Sequence, residues 1–488
     1  MKRRNILALA GALTLSPLSS SFAQEASCPT RPDQMMCVAN DDNVSLAQSF
    51  SVVAEKSVEK PVAPAVEDKA AWFTADGVVT QNARVLLDRL EDAGSHGLNP
   101  RSYPVRQIKA LIDQPMTDHR QKVLGNHLDR ALIAYAQDMT GPRVNPTVTG
   151  DTERKYWRTA MTPRDIRRQY EAAGDVETFL TSITPKNPLY GALQTELARL
   201  EDPAVLHEKA PKGEMSNAQK RLQVIANLER LRWDKDRPER YVEVNLAGQT
   251  MQAVENGEVK LESKAIVGKT KRKFRTMEFN VRISGVRFNP TWTVPNSIKA
   301  RSHLPKLKKN PRALDEMGMR FFVRGREIRP TAINWKARNH VAGIRMEQDA
   351  GPQNALGNIR ILMYNEYDQY MHFTNQPELF DKGSRYLSSG CVRIEKAEEL
   401  GQFILNATDA EMAAHKQGEA NTDIRKRGGP MFYSVYRTTS LGPDGAIQYH
   451  ADGYGRNKKL LGAMKRNGAI PAAPKASPKV KAPKPPVP

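Results

Sequence analysis

The stretch SNAQKRLQVIANLERLRWDKDRPERYVEVNL, residues 216–246, changes its hydrophobic period half-way along. Ala218, Leu222, Ile225, Leu228 and Leu231 recur at helical spacing, and Ser216 with Gln219 has the form of a capping box. A helix is therefore expected from Ser216 to about Trp233. Beyond it, Tyr241, Glu243 and Asn245 alternate with Val242, Val244 and Leu246, which is the period of a half-buried strand. Asn256-Gly257 is a hairpin-turn signal, and Ala265-Ile266-Val267-Gly268 reads as the end of a third strand. The period switch divides the chain into a helical part and a β-rich part, an α+β architecture.

Upstream, from Ala71 to about Leu200, apolar residues keep helical spacing. Ala83, Leu86, Leu87 and Leu90 form one stripe, with Gly94 and Gly97 ending the run. Leu124, Leu128, Ala131, Leu132 and Tyr135 form another. These faces are core-forming and carry no catalytic grouping, so residues 71–210 read as a helical scaffold domain. The β-rich domain is expected over 211–465. Within it, residues 296–350 turn irregular and basic, with Lys306, Lys308, Arg324, Arg326 and Arg329 among Phe321, Phe322 and Trp335. Strand patterning returns at Ile359–Tyr364 and Tyr370–Thr374, so the basic stretch reads as an insertion. Ala397, Leu400, Phe403 and Ile404 make a helical stripe, which is expected to place Cys391 just before a helix N-terminus. Residues 466–488, rich in Pro, Lys and Ala, read as a disordered tail.

The first 23 residues have the form of an export signal. Lys2, Arg3 and Arg4 precede an apolar run from Ile6 to Leu18, and Ser21-Phe22-Ala23 offers small residues for cleavage. The run is too short to span a bilayer, which takes roughly 20 apolar residues. Glu25 stands three before Cys28 where a lipoprotein would carry leucine. Residues 24–70 are polar and irregular and read as a linker. An oxidising compartment would favour a disulfide between Cys28 and Cys37; two free thiols are the alternative. The net charge of +20 implies acidic partners. An exported protein seldom meets nucleic acid, so the bacterial cell wall, whose stem peptides carry free carboxylates, is the expected acidic partner; a merely solvated basic surface is the alternative.

Cys391 is the odd cysteine. It lies in Ser388-Ser389-Gly390-Cys391-Val392-Arg393, nineteen residues after His372 of Tyr370-Met371-His372-Phe373-Thr374. Together these segments supply a nucleophile, a base able to take its proton, and a cation. A buried inert cysteine is the bland alternative; its neighbours His372, Gly390 and Arg393 argue against it.

These two segments, with Gly351-Pro352-Gln353-Asn354-Ala355-Leu356-Gly357 upstream, resemble the L,D-transpeptidase (YkuD-type) catalytic domain. Ile266-Val267-Gly268-Lys269, Asn289 to Pro295 and Tyr449 to Arg456 resemble its large periplasmic YcbB-like subgroup. Gly97-Leu98-Asn99-Pro100 with Tyr103 is similar to that subgroup's scaffold domain. The resemblance covers most of residues 70–465. It implies a periplasmic enzyme that holds a tetrapeptide stem as a thioester at diaminopimelate, releases D-alanine and passes the acyl group to an amine. Cys391 is then the nucleophile and His372 the base. Tyr370, Gly390 and the Cys391 N–H bind the oxyanion. Arg393 fixes the loop or a substrate carboxylate, beside Ser389. The Phe373 carbonyl orients the imidazole, although many relatives have glycine or aspartate at that position. The insertion over 296–350 resembles a capping subdomain. Peptidoglycan stem peptides are the implied partner, and outer-membrane proteins are alternative acyl acceptors to a second stem. No separate wall-binding module fits between Tyr190 and Ser216.

A sortase runs His, Cys and Arg in the same order but spaces them far apart. Wall amidases of the NlpC/P60 type place cysteine before histidine. A non-catalytic wall-binding scaffold would suit the charge and the helical half, but not the Cys391, His372 and Arg393 set. The remaining histidines, from His96 to His450, show no metal-ligand spacing, so no metal and no cofactor is expected.

Overall fold

A computed structural model describes residues 71–337 and 342–476. The expected signal, linker and Cys28–Cys37 pair fall outside the described residues, as do residues 477–488.

The helical part is built as its apolar stripes require. Helices Gln81–Glu91, Asp118–Thr140, Val176–Ile183 and Pro188–Leu200 bury Leu86, Leu90, Leu128, Tyr135, Phe179 and Leu193 in one core. The helix Asn217–Trp233 starts at the expected capping box, with Ser216 Oγ accepting from the Gln219 N–H. This helix belongs by packing to the helical core, where Val224, Leu228 and Trp233 are buried, although the β domain was expected to begin at 211. Leu460, Ala463 and Met464 of the C-terminal helix Arg456–Arg466 join the same core.

Residues just past that helix are held, in contrast to the expected tail from 466. Ala469 is buried, and its carbonyl accepts from Arg143. Gly468 O accepts from Asn99, and Pro471 O and Ala472 O accept from Arg221. A Pro/Ala-rich segment has little apolar surface to dock with, but its carbonyls are strong acceptors, and two arginines use them.

The β part forms an eleven-stranded sheet among the described residues. Strands β1 (Arg240–Asn245), β2 (Thr250–Glu255) and β3 (Glu258–Gly268) make an antiparallel meander. Asn256 and Gly257, at φ 52° and 82°, form the expected tight turn. The eleven-residue β3 changes partners along its length. Glu258–Lys264 pairs with β2, while Ala265 onward pairs with the strands that carry the site. A single long strand so joins two halves of a curled sheet. On one side, β1 leads through a later strand, β15 (Met431–Val435), to β4 (Asn280–Arg282). On the other lie β5 (Gly285–Phe288), β10 (Ile359–Leu362), β11 (Met371–His372), β12 (Tyr386–Ser388), β13 (Val392–Ile394) and β14 (Thr422–Arg425). Val244, Val267, Phe288, Ile361, Met371 and Ile394 fill the core between the halves, and the helix Ala397–Leu405 covers it with Leu400 and Ile404.

The insertion is a small folded unit with a core of its own. Strands β6 (Trp292–Thr293), β7 (Met319–Val323), β8 (Arg326–Glu327) and β9 (Ile344–Gln348) form a separate antiparallel sheet, which starts slightly before the expected residue 296. Phe321 and Trp335 stack edge to face at 5.4 Å within that core, beside Leu307, Leu314 and Met346. Phe322 points to the other face, where the Arg345 guanidinium covers its ring at 3.8 Å.

Candidate active site

Register brings the site together. In β11, His372 stands opposite Arg360 of β10 on one side and Arg393 of β13 on the other. Residues directly opposite in adjacent strands share a face, so the imidazole is flanked by two guanidinium-bearing side chains. Tyr370 lies just before β11. Its ring is 5.6 Å from the His372 ring and lies under the Arg360 guanidinium at 4.1 Å. The strand is shorter than the expected Tyr370–Thr374. The Arg393 guanidinium donates to Thr374 Oγ1 at 3.3 Å, anchoring the cation beside the end of β11.

Cys391 sits in the tight connection between β12 and β13. Helix Ala397–Leu405 begins only after β13, so no helix N-terminus acts on the thiol, contrary to the sequence expectation. The short apolar run Val392–Ile394 is taken by sheet pairing, with Val392 N–H bonded to Tyr370 O at 3.0 Å. Cys391 keeps partial exposure, but the atoms packed round it desolvate the thiolate and push the thiol's pKa up. The Tyr370 main chain and hydroxyl, Arg360 and Arg393 oppose that shift. The Tyr370 hydroxyl is itself raised, first by burial and then by Cys391.

Burial also governs His372, whose pKa falls to about 3, helped by Arg393 and Arg360 and opposed by the Phe373 and Leu356 main chain. Its Nδ1 is buried and makes no well-aligned hydrogen bond among the described residues. Both shifts favour a neutral thiol and a neutral imidazole over a thiolate–imidazolium pair.

The turn holding Cys391 is fixed from several sides. Gly390 has φ 131°, a conformation that side-chain-bearing residues avoid. Its N–H donates to Ser388 Oγ at 3.1 Å, and the same hydroxyl donates to Cys391 O at 2.6 Å. The expected help of Gly390 in binding an oxyanion thus fails for its N–H, which is already engaged. The Cys391 N–H has no backbone hydrogen-bond partner among the described residues. Ser389 is exposed on the turn. Behind it, Thr276 Oγ1 donates to Gly390 O at 2.8 Å and accepts from Gly268 N–H at 3.0 Å. Gln369 ties Tyr370's segment to the same wall through Met277 N–H and Arg275 O.

On the far side of His372, the loop 351–357 closes against the strand. Asn354, almost fully buried, donates to Pro290 O and Asp349 O and accepts from Leu356 N–H. Gly357, at φ 64°, packs so closely that a Cβ there would lie 2.7 Å from Phe373 Cδ1. The insertion attaches to both walls. Gln348 of β9 bonds Gln353 O and Ala355 N–H, and Arg301 stacks on Phe274 at 4.2 Å beside the Gly268–Thr276 wall.

Sequence reasoning singled out Cys391, His372, Tyr370, Gly390 and Arg393, and the structure brings these together. It passed over Arg360, Ser388, Gln369 and Thr276. Ser388 lies inside the quoted motif and was legible there. Gln369 immediately precedes Tyr370 but carries no local mark of its partners, Arg360 is placed by strand register, and Thr276 comes from a separate loop. No group of three or more His, Cys, Asp or Glu side chains that could hold a metal ion occurs among the described residues. No helix among them is long and apolar enough to cross a membrane.

Residues 239–412 match the family described as L,D-transpeptidase catalytic domain, YkuD, and residues 65–197 match the Scaffold domain. A relative from Haemophilus influenzae named "Putative L,D-transpeptidase" is 30% identical over 223 residues, 44% of this chain and 44% of the relative. The chain thus aligns with less than half of that relative's length. A solved structure described as the Ldtfm-avibactam carbamoyl enzyme aligns with 57% of this chain and 89% of its own at 11% identity, with a TM-score of 0.19, too low to carry an argument. The two family matches agree with the fold: a helical region similar to the Scaffold domain over residues 65–197 precedes a β-rich region similar to the L,D-transpeptidase (YkuD) catalytic domain over residues 239–412.

Proposed function

We propose that the protein is a periplasmic peptidoglycan L,D-transpeptidase with Cys391 as nucleophile and His372 as general base. The observation that carries this reading is the buried imidazole of His372 on the strand beside the Cys391 turn, between Arg360 and Arg393, where burial favours its neutral form. A neutral base is what a protonated thiol needs, because attack and proton removal then occur in one step.

The Cys391 Sγ–H proton passes to His372 as Sγ bonds to the diaminopimelate carbonyl carbon of a tetrapeptide stem. The resulting oxyanion is held by the Cys391 N–H and the Tyr370 hydroxyl, with Arg360 and Arg393 supplying positive field. Collapse breaks the carbonyl–nitrogen bond. The His372 imidazolium protonates the departing D-alanine amine, leaving a thioester. An acceptor amine then attacks the thioester and gives its proton to His372. The proton returns to sulfur as the C–S bond breaks. The acceptor is the amine of a second stem, giving a 3–3 cross-link, or an amine of an outer-membrane protein.

The test is incubation of the enzyme with a disaccharide tetrapeptide, with mass analysis of products. One D-alanine released per stem joined to a second amine is the expected result. Cleavage at another bond, as a peptidase would give, or no turnover at all would overturn the reading.

A further inference from the structure

Arg360 of β10 stands directly opposite His372, and the Cβ atoms of such a cross-strand pair lie about 4.5–5.5 Å apart. Its half-buried guanidinium rests on the Tyr370 ring at 4.1 Å. Arg360 Nε is buried without a hydrogen-bond partner, and the side chain forms no ion pair among the described residues. The acid that feels its charge, Asp423, is already paired with Arg287 and Arg425. A cation–π contact orients a guanidinium without using its N–H donors, and a buried donor left unpaired is costly. The planar fork of Arg360 is therefore held in the site and left for an anion from outside the chain.

Arg393, on the other side of His372, is differently placed. Its guanidinium reaches Thr374 Oγ1 at 3.3 Å and Gln376 Oε1 at 3.5 Å, and Glu378 acts on its charge. Of the two, only Arg360 lacks a polar partner among the described residues. The charge of Arg360 is also felt by the Cys391 thiol, the His372 imidazole and the Tyr370 hydroxyl, so its head lies within the reacting group. The chemistry at His372 says which anion meets it. In the proposed reaction His372 protonates the nitrogen of the departing residue, so that nitrogen sits at the imidazole as its bond to carbon breaks. A single carbon separates that nitrogen from the residue's carboxylate. The carboxylate therefore falls beside His372, where Arg393 and the Cys391 strand occupy one side and Arg360 the other.

We infer that Arg360 is a specificity-determining residue, whose guanidinium pairs with the free C-terminal carboxylate of the residue that leaves the donor stem. Through it the enzyme reads where the stem ends. A stem longer by one residue brings a neutral amide to the guanidinium and carries its carboxylate past it. The inference rests on the transpeptidase reading of Cys391 and His372.

The test gives the full chain three donors: a disaccharide tetrapeptide ending in D-alanine, the same stem ending in D-alaninamide, and the pentapeptide ending in D-alanyl-D-alanine. Release of the leaving group is followed by mass analysis as kcat/KM. The wild-type chain should prefer the free acid over both others by about tenfold or more, the loss expected when a charge-assisted pair is replaced by a neutral one. In Arg360→Gln the acid should lose more than the other donors do, bringing the preference to about twofold or less. Arg360→Met, which keeps an unbranched chain over the Tyr370 ring, gives the same readout where the Gln variant does not fold. Arg393→Gln should slow all three donors together and keep the preference. Equal wild-type rates on acid and amide, or a preference that survives in the Arg360 variants, would overturn this role for Arg360 while the transpeptidase reading stands. No release from any donor would overturn that reading, and the role of Arg360 with it.

Discussion

The Thr276 hydroxyl donates to the Gly390 carbonyl at 2.8 Å and accepts from the Gly268 N–H at 3.0 Å, with the side chain fully buried. Thr276 O in turn accepts from Arg456 at 2.8 Å, and that arginine is paired with Asp151 and Glu278. A single residue so links the cysteine turn, through its hydroxyl, to the buried ion cluster, through its carbonyl.

Thr276 touches no reacting atom and acts as a positioning residue. Thr276→Val keeps the shape and deletes both bonds, while Thr276→Ser keeps them. We expect kcat for acylation to fall about tenfold in Thr276→Val with KM little changed, and recovery in Thr276→Ser. Loss in KM alone, or equal loss in both variants, would assign Thr276 to packing.

The neutral His372 has a signature in pH. Its pKa of about 3 leaves it unprotonated through the physiological range, while burial raises the thiol. Alkylation of Cys391 by iodoacetamide should therefore keep rising with pH above 7. A thiolate–imidazolium pair would give a plateau from mildly acid pH upward. The same depressed pKa bears on stability. The folded imidazole resists a proton that the unfolded one accepts below about 6.5, so stability should decline as pH falls from there toward 3. His372→Ala should cost roughly two to four orders of magnitude in acylation near neutral pH. It should regain part of that at higher pH, where solvent removes the thiol proton.

Gly357→Ala tests the close approach of the 351–357 loop to Phe373. The new methyl group would meet Phe373 and the Thr374 nitrogen inside 3.0 Å, at a backbone angle that alanine disfavours. We expect a lower melting temperature and reduced acylation together. A fully stable, fully active Gly357→Ala would show that the loop does not need to close on the His372 strand.

The period switch at Trp233 to Tyr241 made the α+β division legible, because binary patterning survives whatever packs on it. Packing partners were not legible. The stripe of Asn217–Trp233 says that a face is buried without saying against what, and it turned out to complete the helical core. The same limit explains Cys391. A helical stripe downstream suggested a helix dipole at the thiol, but Val392–Ile394 carries too little pattern to separate a short strand from a helix start. Thr276 and Arg360 were invisible because cross-strand register and curvature place them, and neither leaves a local mark. In the insertion, Phe321 and Trp335 fill the insertion's own core, which the irregular, basic sequence around them did not mark.

The exposed arginines of the insertion are candidates for pairing with stem-peptide carboxylates. Arg324 and Arg326 sit on the β7–β8 hairpin, where Arg324 and Gly325 take φ 50° and 81° in the turn, and Arg329 follows, also exposed. Replacing all three with Gln should weaken tetrapeptide binding several-fold with no change in melting temperature. Unchanged affinity, or a matching fall in melting temperature, would remove the insertion from substrate recognition.

The most direct measurement is intact-mass analysis after treatment with a carbapenem, whose strained carbonyl stands in for the stem's. The account predicts a single covalent adduct on the wild-type chain and none on Cys391→Ala of equal melting temperature. An adduct that persists in Cys391→Ala, or cross-linked product formed by that variant, would contradict the assignment of Cys391 as the nucleophile.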